Sequence, residues 1–405
     1  YFTPPIAVSN SIITHLDDWN FSVAAYGPFW LGISVLVALV GGDHPLRYII
    51  GYRALGLFAH IVNIWLVMRI LRTAGRSPRA VMLGTFLYAL NPLLLFESAI
   101  GGHNDIEMIT LLLLGISFCL RGERRNYQRL IDYALPTIAF TLAALIKFTS
   151  IPAFVFFLVL LARKSMLSAS TSQPPAMRIQ LQPWLSALLK IAIAAMISAG
   201  LALLAYAPFW IGHSPTAILH SFTAPPSARF GENSILRASE AWIAHNGLPP
   251  ASSWLYTPLK LMANHTTWKN ASEIALLGGM ICGTWLLWRK PNTHALISAL
   301  LITLGALLIV TPWLFAWYVT WLVPLAALLI GQPGRDKLPH ALIAFAIAFS
   351  ISIFFTYMDN DLPIMSSEGF AQCLRVFGIP LLVFLLAFIA RWVRTSFVLT
   401  RPVPR

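Results

Sequence analysis

Residues 81–120 read VMLGTFLYALNPLLLFESAIGGHNDIEMITLLLLGISFCL. Two apolar runs flank the polar stretch GGHNDIEM at 101–108, one over 81–100 and the other over 109–120. A helix needs about 20 apolar residues to cross the hydrocarbon core of a bilayer, where it satisfies its own backbone hydrogen bonds. This stretch therefore predicts two neighbouring transmembrane helices joined by a short polar turn.

The same composition continues along the whole chain. Of its 405 residues, 58% are hydrophobic and 11% are charged, whereas an ordinary soluble domain has about 25% charged residues. The runs are longer than the alternating segments of an outer-membrane barrel. The composition predicts an all-α, polytopic transmembrane protein with about eleven spans. The predicted spans are 48–71, 80–99, 104–120, 131–147, 150–163, 184–207, 271–288, 294–311, 314–330, 338–357 and 374–391.

Lys and Arg are unevenly divided among the connecting segments. Basic segments alternate with segments that hold most of the carboxylates, so the positive-inside rule places the basic set in the cytoplasm and the GGHND turn on the outer face. The net charge of +13 is explained by the basic residues of these predicted cytoplasmic segments. We therefore expect no nucleic-acid partner. The predicted location is the cytoplasmic (inner) membrane, as an integral multi-pass protein. The basic segments are 72–79, 121–129, 163–178, 289–291, 334–337 and 391–405.

The segment 26–42, YGPFWLGISVLVALVGG, is apolar but short, and counting it as a span would break the alternation. We interpret it as an interfacial or re-entrant helix on the outer face. The expected organisation is a single membrane-embedded domain. Its parts are an outer loop with the interfacial helix (1–47), a first bundle of spans (48–207), a long outer loop (208–270) and a second bundle of spans (271–405).

Part of the polar turn has a purely structural interpretation. Asn104 is placed to cap the next helix, and Glu107 three residues later completes a capping-box pattern. Capping does not account for His103, for Asp105, or for Glu97 at the end of the preceding span. Ionisable groups at such positions are costly and mark candidate functional sites, so we predict catalytic roles for His103, Asn104 and Asp105, and a substrate contact for Glu97.

Other polar and aromatic side chains fall in outer segments. Asp17 and Asp18 form a carboxylate pair that suits a base, a divalent metal ligand or plain solvated surface. Lys147, at the outer end of a span, either binds a phosphate or extends to the water boundary, and Arg229 in the long outer loop has the same two interpretations. Three aromatic residues suit either a sugar platform or an interfacial belt. They are Tyr26, Trp313 and Trp317.

Three stretches resemble the GT-C superfamily of membrane glycosyltransferases: NPLLLFESAIGGHNDIEMITLLLLG (91–115), AALIKFTSIPAF (143–154) and TPWLFAWYVTWLVPLAAL (311–328). The first is most similar to a segment of bacterial polyprenol-phosphomannose-dependent mannosyltransferases. The resemblance implies an enzyme that moves a hexose, expected to be mannose, from a polyprenyl-phosphate sugar to a lipid-linked or envelope glycan acceptor on the outer face. No further cofactor is implied, and a divalent metal is left open.

The resemblance also implies a catalytic Asp early in the first outer loop, before the NPY-like start at Tyr1. The first span and that Asp are then expected upstream of this sequence, and Asp17 and Asp18 follow the usual position. Two other functions stay open. A secondary transporter or lipid flippase would place charges near mid-span, whereas here they gather at outer ends. A lipid-linked polymer ligase or polymerase would use outer-loop arginines and histidine.

Overall fold

The computed structural model describes residues 26–42, 44–171, 182–217, 233–332, 337–358 and 368–399, and these are mainly helical. The all-α architecture is thus confirmed. The helices are α1 Pro28–Gly41, α2 Pro45–Thr73, α3 Pro78–Ala89, α4 Pro92–Phe96, α5 Asp105–Arg124, α6 Leu130–Ile146, α7 Ile151–Thr171, α8 Gln182–Trp210, α9 Ile235–Asn246, α10 Tyr256–Met262, α11 His265–Arg289, α12 Thr293–Val310, α13 Ala316–Val319, α14 Leu322–Leu329, α15 Lys337–Ser352, α16 Phe355–Met358, α17 Glu368–Cys373 and α18 Ile379–Leu399.

Seven of the described helices are long and apolar enough to cross a bilayer, and the bent pair Pro78–Ala89 and Pro92–Gly101 makes eight if it is one span. These account for eight of the eleven predicted spans. The other three are also helical but differ in length or charge. Helix α5 is charged in its first and last turns, α6 has 17 residues, and the predicted span 314–330 is divided between α13 and α14.

The segment predicted as interfacial forms α1, which has 14 residues and a proline in its first turn. Its C-terminal half leaves apolar side chains such as Leu36 and Val40 exposed, and its length is short for a span. The N–H of Gly27 donates to the carbonyl of Ile146 at 3.0 Å. This bond ties the start of α1 to the end of α6, directly beside Lys147.

The segment 208–270, predicted as a long outer loop, contains helices among its described residues. Helix α8 continues to Trp210, and α9 and α10 lie within the segment. The chain between 218 and 232 lies outside the described residues. The division of the chain into two bundles stays a prediction.

The polar turn lies between α4 and α5 and packs against α2. The central turns of α5 bury Ile109, Leu113 and Ile116 completely. Helix α2 approaches the turn closely at Gly56, where a Cβ would lie 2.6 Å from the carbonyl oxygen of Ser98. A residue without a side chain is therefore required at this crossing.

Candidate functional site

The polar turn is built by a change in helix type. Asn91 begins α4, and its side chain accepts from the N–H groups of Leu93 and Leu94. The chain then widens into a π-helical turn, Glu97–Gly101, which ends at Gly102 with φ of 66°. Such wide turns often occur at functional sites. The widening directs Glu97 inward and lets α5 begin at Asp105.

Asp105 is the centre of the site. Its carboxylate is 1% exposed. Lys147 Nζ donates to both of its oxygens, at 2.8 and 3.1 Å, and Trp321 Nε1 donates to Oδ1 at 2.5 Å. Removing two charges from water is costly unless they are paired and hydrogen-bonded, and these three contacts meet that requirement.

Lys147 lies in a ring of aromatic side chains. Its Nζ is 4.3 Å from the ring centre of Tyr318, 5.2 Å from that of Trp321 and 5.9 Å from that of Tyr26. The backbone places it there because α6 ends at Ile146, and Lys147 then adopts an extended conformation before the short turn Phe148–Ser150. The side chain remains 11% exposed.

His103 lies beside this pair. Its ring stacks on Trp317 with centroids 3.9 Å apart, and Trp317 stacks in turn on Phe315 at 4.4 Å. Both rings lie nearly parallel to the Trp317 indole, at interplanar angles of 18° and 5°, so Trp317 is held by stacking with His103 and Phe315. His103 Nε2 is 3.5 Å from Glu97 Oε2, and the Tyr357 hydroxyl donates to the other oxygen of Glu97.

The environment of His103 favours the neutral imidazole. Burial lowers the pKa of His103 below its ordinary value; the Asp105 carboxylate opposes this and the Lys147 ammonium adds to it. The side chain is 27% exposed. A partly exposed, neutral imidazole can accept a proton from an adjacent hydroxyl group.

Most of the residues singled out in the sequence are brought together. Asp105, Lys147, His103 and Glu97 form one connected group of charged and titratable side chains. Tyr26 and Trp317 border it. Trp313 packs edge-on against Phe315 at 5.2 Å, one ring further away. Asp17, Asp18 and Arg229 lie outside the described residues.

The capping-box prediction is wrong. Asn104 does occupy the position before α5, but its side chain makes no capping bond, because its backbone is already helical, with φ of −64° and ψ of −5°. A capping side chain needs an extended backbone to reach the free N–H groups. Asn104 Nδ2 and Glu107 Oε2 are buried without a partner in the described part of the chain. The catalytic role of Asn104 therefore stays a prediction.

Sequence reasoning missed Trp321, Tyr318 and Tyr357. One signal was available for Trp321. An indole inside an apolar run must find an acceptor for its N–H, and Asp105 is a carboxylate with the same need for a partner. Nothing in the sequence indicates that residues 216 positions apart would meet.

A divalent metal would need a group of carboxylate or imidazole ligands. Among the described residues, no three His, Cys, Asp or Glu side chains are grouped in a way that could hold one. Asp105 also has both oxygens engaged with Lys147. The described residues therefore do not fit a divalent metal.

Comparison with known proteins bears on the first part of the chain. Residues 1–163 match the family model described as alpha-(1->6)-mannopyranosyltransferase, N-terminal domain. This confirms the resemblance to bacterial mannosyltransferases. Asp105, His103 and Lys147 lie inside the matched region, whereas Trp317 and Trp321 lie outside it.

Curated relatives carry the same name. An alpha-(1->6)-mannopyranosyltransferase of Mycobacterium tuberculosis is 29% identical over 104 residues, which is 26% of this chain and 17% of the relative. Alpha-(1->6)-mannopyranosyltransferase B of Corynebacterium glutamicum is 27% identical over 150 residues, 36% of this chain and 24% of the relative. The alignments thus cover less than a quarter of each relative. The archaeal oligosaccharyltransferase AglB from Archaeoglobus fulgidus aligns over 91% of this chain and 48% of its own, with 12% identity and a TM-score of 0.38.

Proposed function

We propose that the protein transfers a mannosyl group from a polyprenyl-phosphate donor to a glycan or glycolipid acceptor, on the outer face of the cytoplasmic membrane. Three observations support this proposal. The relatives of residues 1–163 are named mannosyltransferases, the helices are apolar enough to cross a bilayer, and a charged site lies at the predicted outer end. The strongest support is the buried Asp105–Lys147 ion pair, in which Asp105 also accepts a hydrogen bond from Trp321.

In this proposal Lys147 binds the donor phosphate. An ammonium group has three N–H donors, and Asp105 supplies two acceptor oxygens, so one donor remains for a phosphate. As the bond between the sugar and the phosphate breaks, negative charge grows on the departing lipid phosphate. A fixed cation in a largely buried setting stabilises that charge more strongly than water would.

Asp105 then acts as a positioning residue. It holds the ammonium group in place before the donor arrives, and it shares that group once the phosphate is bound. His103, neutral and fixed by Trp317 and Glu97, borders the space where an acceptor hydroxyl would lie. Trp317 contributes by fixing the imidazole through stacking.

The proposal is tested by sugar transfer in membranes. The protein is expressed in membranes, and radiolabelled polyprenyl-phosphate mannose is supplied with extracted lipid acceptors. We expect label to move into a new product, and Asp105→Asn to reduce its formation at least about tenfold, the scale of a lost transition-state contact. Asp132→Asn is the matched control, because Asp132 is also buried but bonds to Arg129 and Arg125 instead.

Two outcomes would contradict the proposal. Unchanged transfer by Asp105→Asn would remove Asp105 from the site. No transfer from mannose or glucose donors by well-inserted protein would instead favour transport of a lipid-linked substrate.

A further inference from the structure

A groove lies at the end of the bundle opposite Asp105, between the last turns of α2 and the first turns of α3. Its volume is about 540 Å³. The two ends are about 30 Å apart, since α5 has 20 residues and a helix rises about 1.5 Å per residue. The Arg124 side chain, in the last turn of α5, donates to the carbonyl of Thr73 where α2 ends. The groove is therefore separate from the site described above.

The groove has a charged end and an apolar wall. Arg72 and Arg76 lie at the charged end, and Met68, Met82 and Phe86 are among the residues of the wall. Met82 and Phe86 are about half exposed, at 50% and 54%. An amphiphile with an anionic head and an apolar tail matches this division.

Arg76 is the strongest indication of a ligand. The residue is only 8% exposed. Its guanidinium donates to the Gly331 carbonyl at 3.0 Å and lies 3.1 Å from His294 Nδ1, but its Nε is buried and has no partner among the described residues. Within the described ranges no carboxylate lies within ion-pair distance of it. A buried cation without a counter-charge is costly, and burial accordingly lowers the pKa of Arg76.

Two further features favour an anion at the same place. Arg72 is exposed in the last turn of α2, and α3 begins at Pro78, so the positive end of its dipole lies beside both arginines. Helix N-termini attract anions. The dipole of α2 would by itself account for Arg72 at its C-terminus, but it does not account for the buried Arg76.

We propose that this groove binds an anionic phospholipid of the surrounding bilayer. The phosphate lies between Arg72, Arg76 and the start of α3, and one acyl chain lies along Met68, Met82 and Phe86. Basic pockets between helices at the cytoplasmic side bind such headgroups, and the distribution of Lys and Arg predicts that this end faces the cytoplasm. The proposal does not depend on the transferase function.

Photo-crosslinking tests it directly. The full-length protein is placed in nanodiscs of phosphatidylcholine with a small fraction of phosphatidylglycerol that carries a diazirine on one acyl chain. After irradiation, adducts are mapped by mass spectrometry. We expect adducts concentrated on peptides covering residues 68–86, competed by unlabelled phosphatidylglycerol and not by added phosphatidylcholine. Arg72→Gln should reduce them about fivefold, the effect of removing one cation near an anionic headgroup.

Two matched pairs of variants separate the groove from general effects. Arg79→Gln removes an exposed arginine from the same region but outside the groove, and should leave the adducts unchanged. Met82→Trp fills the groove and should reduce them, whereas Leu83→Trp, on the neighbouring exposed position, should not. Adducts spread evenly over the helices, equal effects of Arg72→Gln and Arg79→Gln, or stronger competition by polyprenyl phosphate at equal mole fraction would each overturn the proposal.

Discussion

At the scale of single residues, the site depends on how two buried charges are satisfied. Asp105 receives three hydrogen bonds, from Lys147 and Trp321, and Lys147 is in turn surrounded by aromatic rings. The pair is therefore both a structural element and the proposed phosphate site. Stability and transfer should respond differently when it is changed.

Lys147→Met should destabilise the protein by about 3 kcal/mol, because it leaves the Asp105 carboxylate buried without its partner. The double variant Asp105→Asn, Lys147→Met should recover most of this loss, since no unpaired charge remains, but transfer should stay absent. Denaturant unfolding in detergent measures the first effect and the membrane transfer assay the second. If Lys147→Met were as stable as the unmodified protein, the carboxylate would have another partner.

His103 should make stability depend on pH. Its pKa is lowered on folding from the ordinary 6.5, so the unfolded chain binds a proton more readily. Stability contributed by the neutral ring is therefore present above pH 6.5 and is lost as pH falls from there toward the folded pKa. Unfolding midpoints between pH 7.5 and 5 should show this slope, and His103→Gln should remove part of it. His245→Gln, a change of an exposed residue, should leave the slope intact.

At the scale of helices, close approach decides how the turn is held. Arg53 Nε of α2 donates to the Ile100 carbonyl at 2.9 Å, and Gly56 of α2 lies against Ser98. Both contacts fix the π-helical turn against one helix. The sequence predicted the two helices around the turn, but their cap was misjudged, because the capping rule presumes a simple helix start and the turn begins α5 from an already helical residue.

Gly56→Ala should push α2 away from the turn. The added methyl would lie 2.6 Å from the Ser98 carbonyl oxygen, and we expect a loss of about 1–3 kcal/mol of stability together with slower transfer. Gly200→Ala in α8 is the matched control, because nothing lies within 4 Å of its added methyl. It should be neutral or stabilising by up to about 1 kcal/mol. Equal effects of the two changes would show that the crossing at Gly56 is not tight.

At the scale of the whole molecule, the site joins parts that are far apart in the chain. The region that matches the mannosyltransferase family ends at residue 163, yet Trp317, Trp321 and Tyr357 each contact a residue of the polar turn. The second half of the chain therefore completes a site that begins in the first half.

The variant Trp321→Phe tests whether the second half of the chain contributes to the site. It removes the indole N–H that donates to Asp105 and leaves a smaller ring at a buried position. The lost hydrogen bond to a charged group alone costs about 1.5–3 kcal/mol. We expect kcat/KM for transfer to fall about tenfold or more, with normal membrane insertion. Trp285→Phe, on an exposed face of α11, should have no effect. Equal activity of both variants would mean that Trp321 only fills space.

The helices and the position of the polar turn could be predicted from the amino-acid sequence alone. A chain with so few charges must satisfy its backbone within each segment, so helix follows from composition, and the Lys and Arg distribution orients the loops. The sequence also singled out Asp105, His103, Lys147 and Glu97 as candidates, because ionisable groups in or beside a span are costly outside the basic segments that orient the chain. It could not show that Lys147 and Trp321 share the carboxylate of Asp105, or that Trp317 stacks with both His103 and Phe315. Those contacts depend on how α5, α6 and the 316–329 region pack side by side, and periodicity within one helix carries no information about its neighbours.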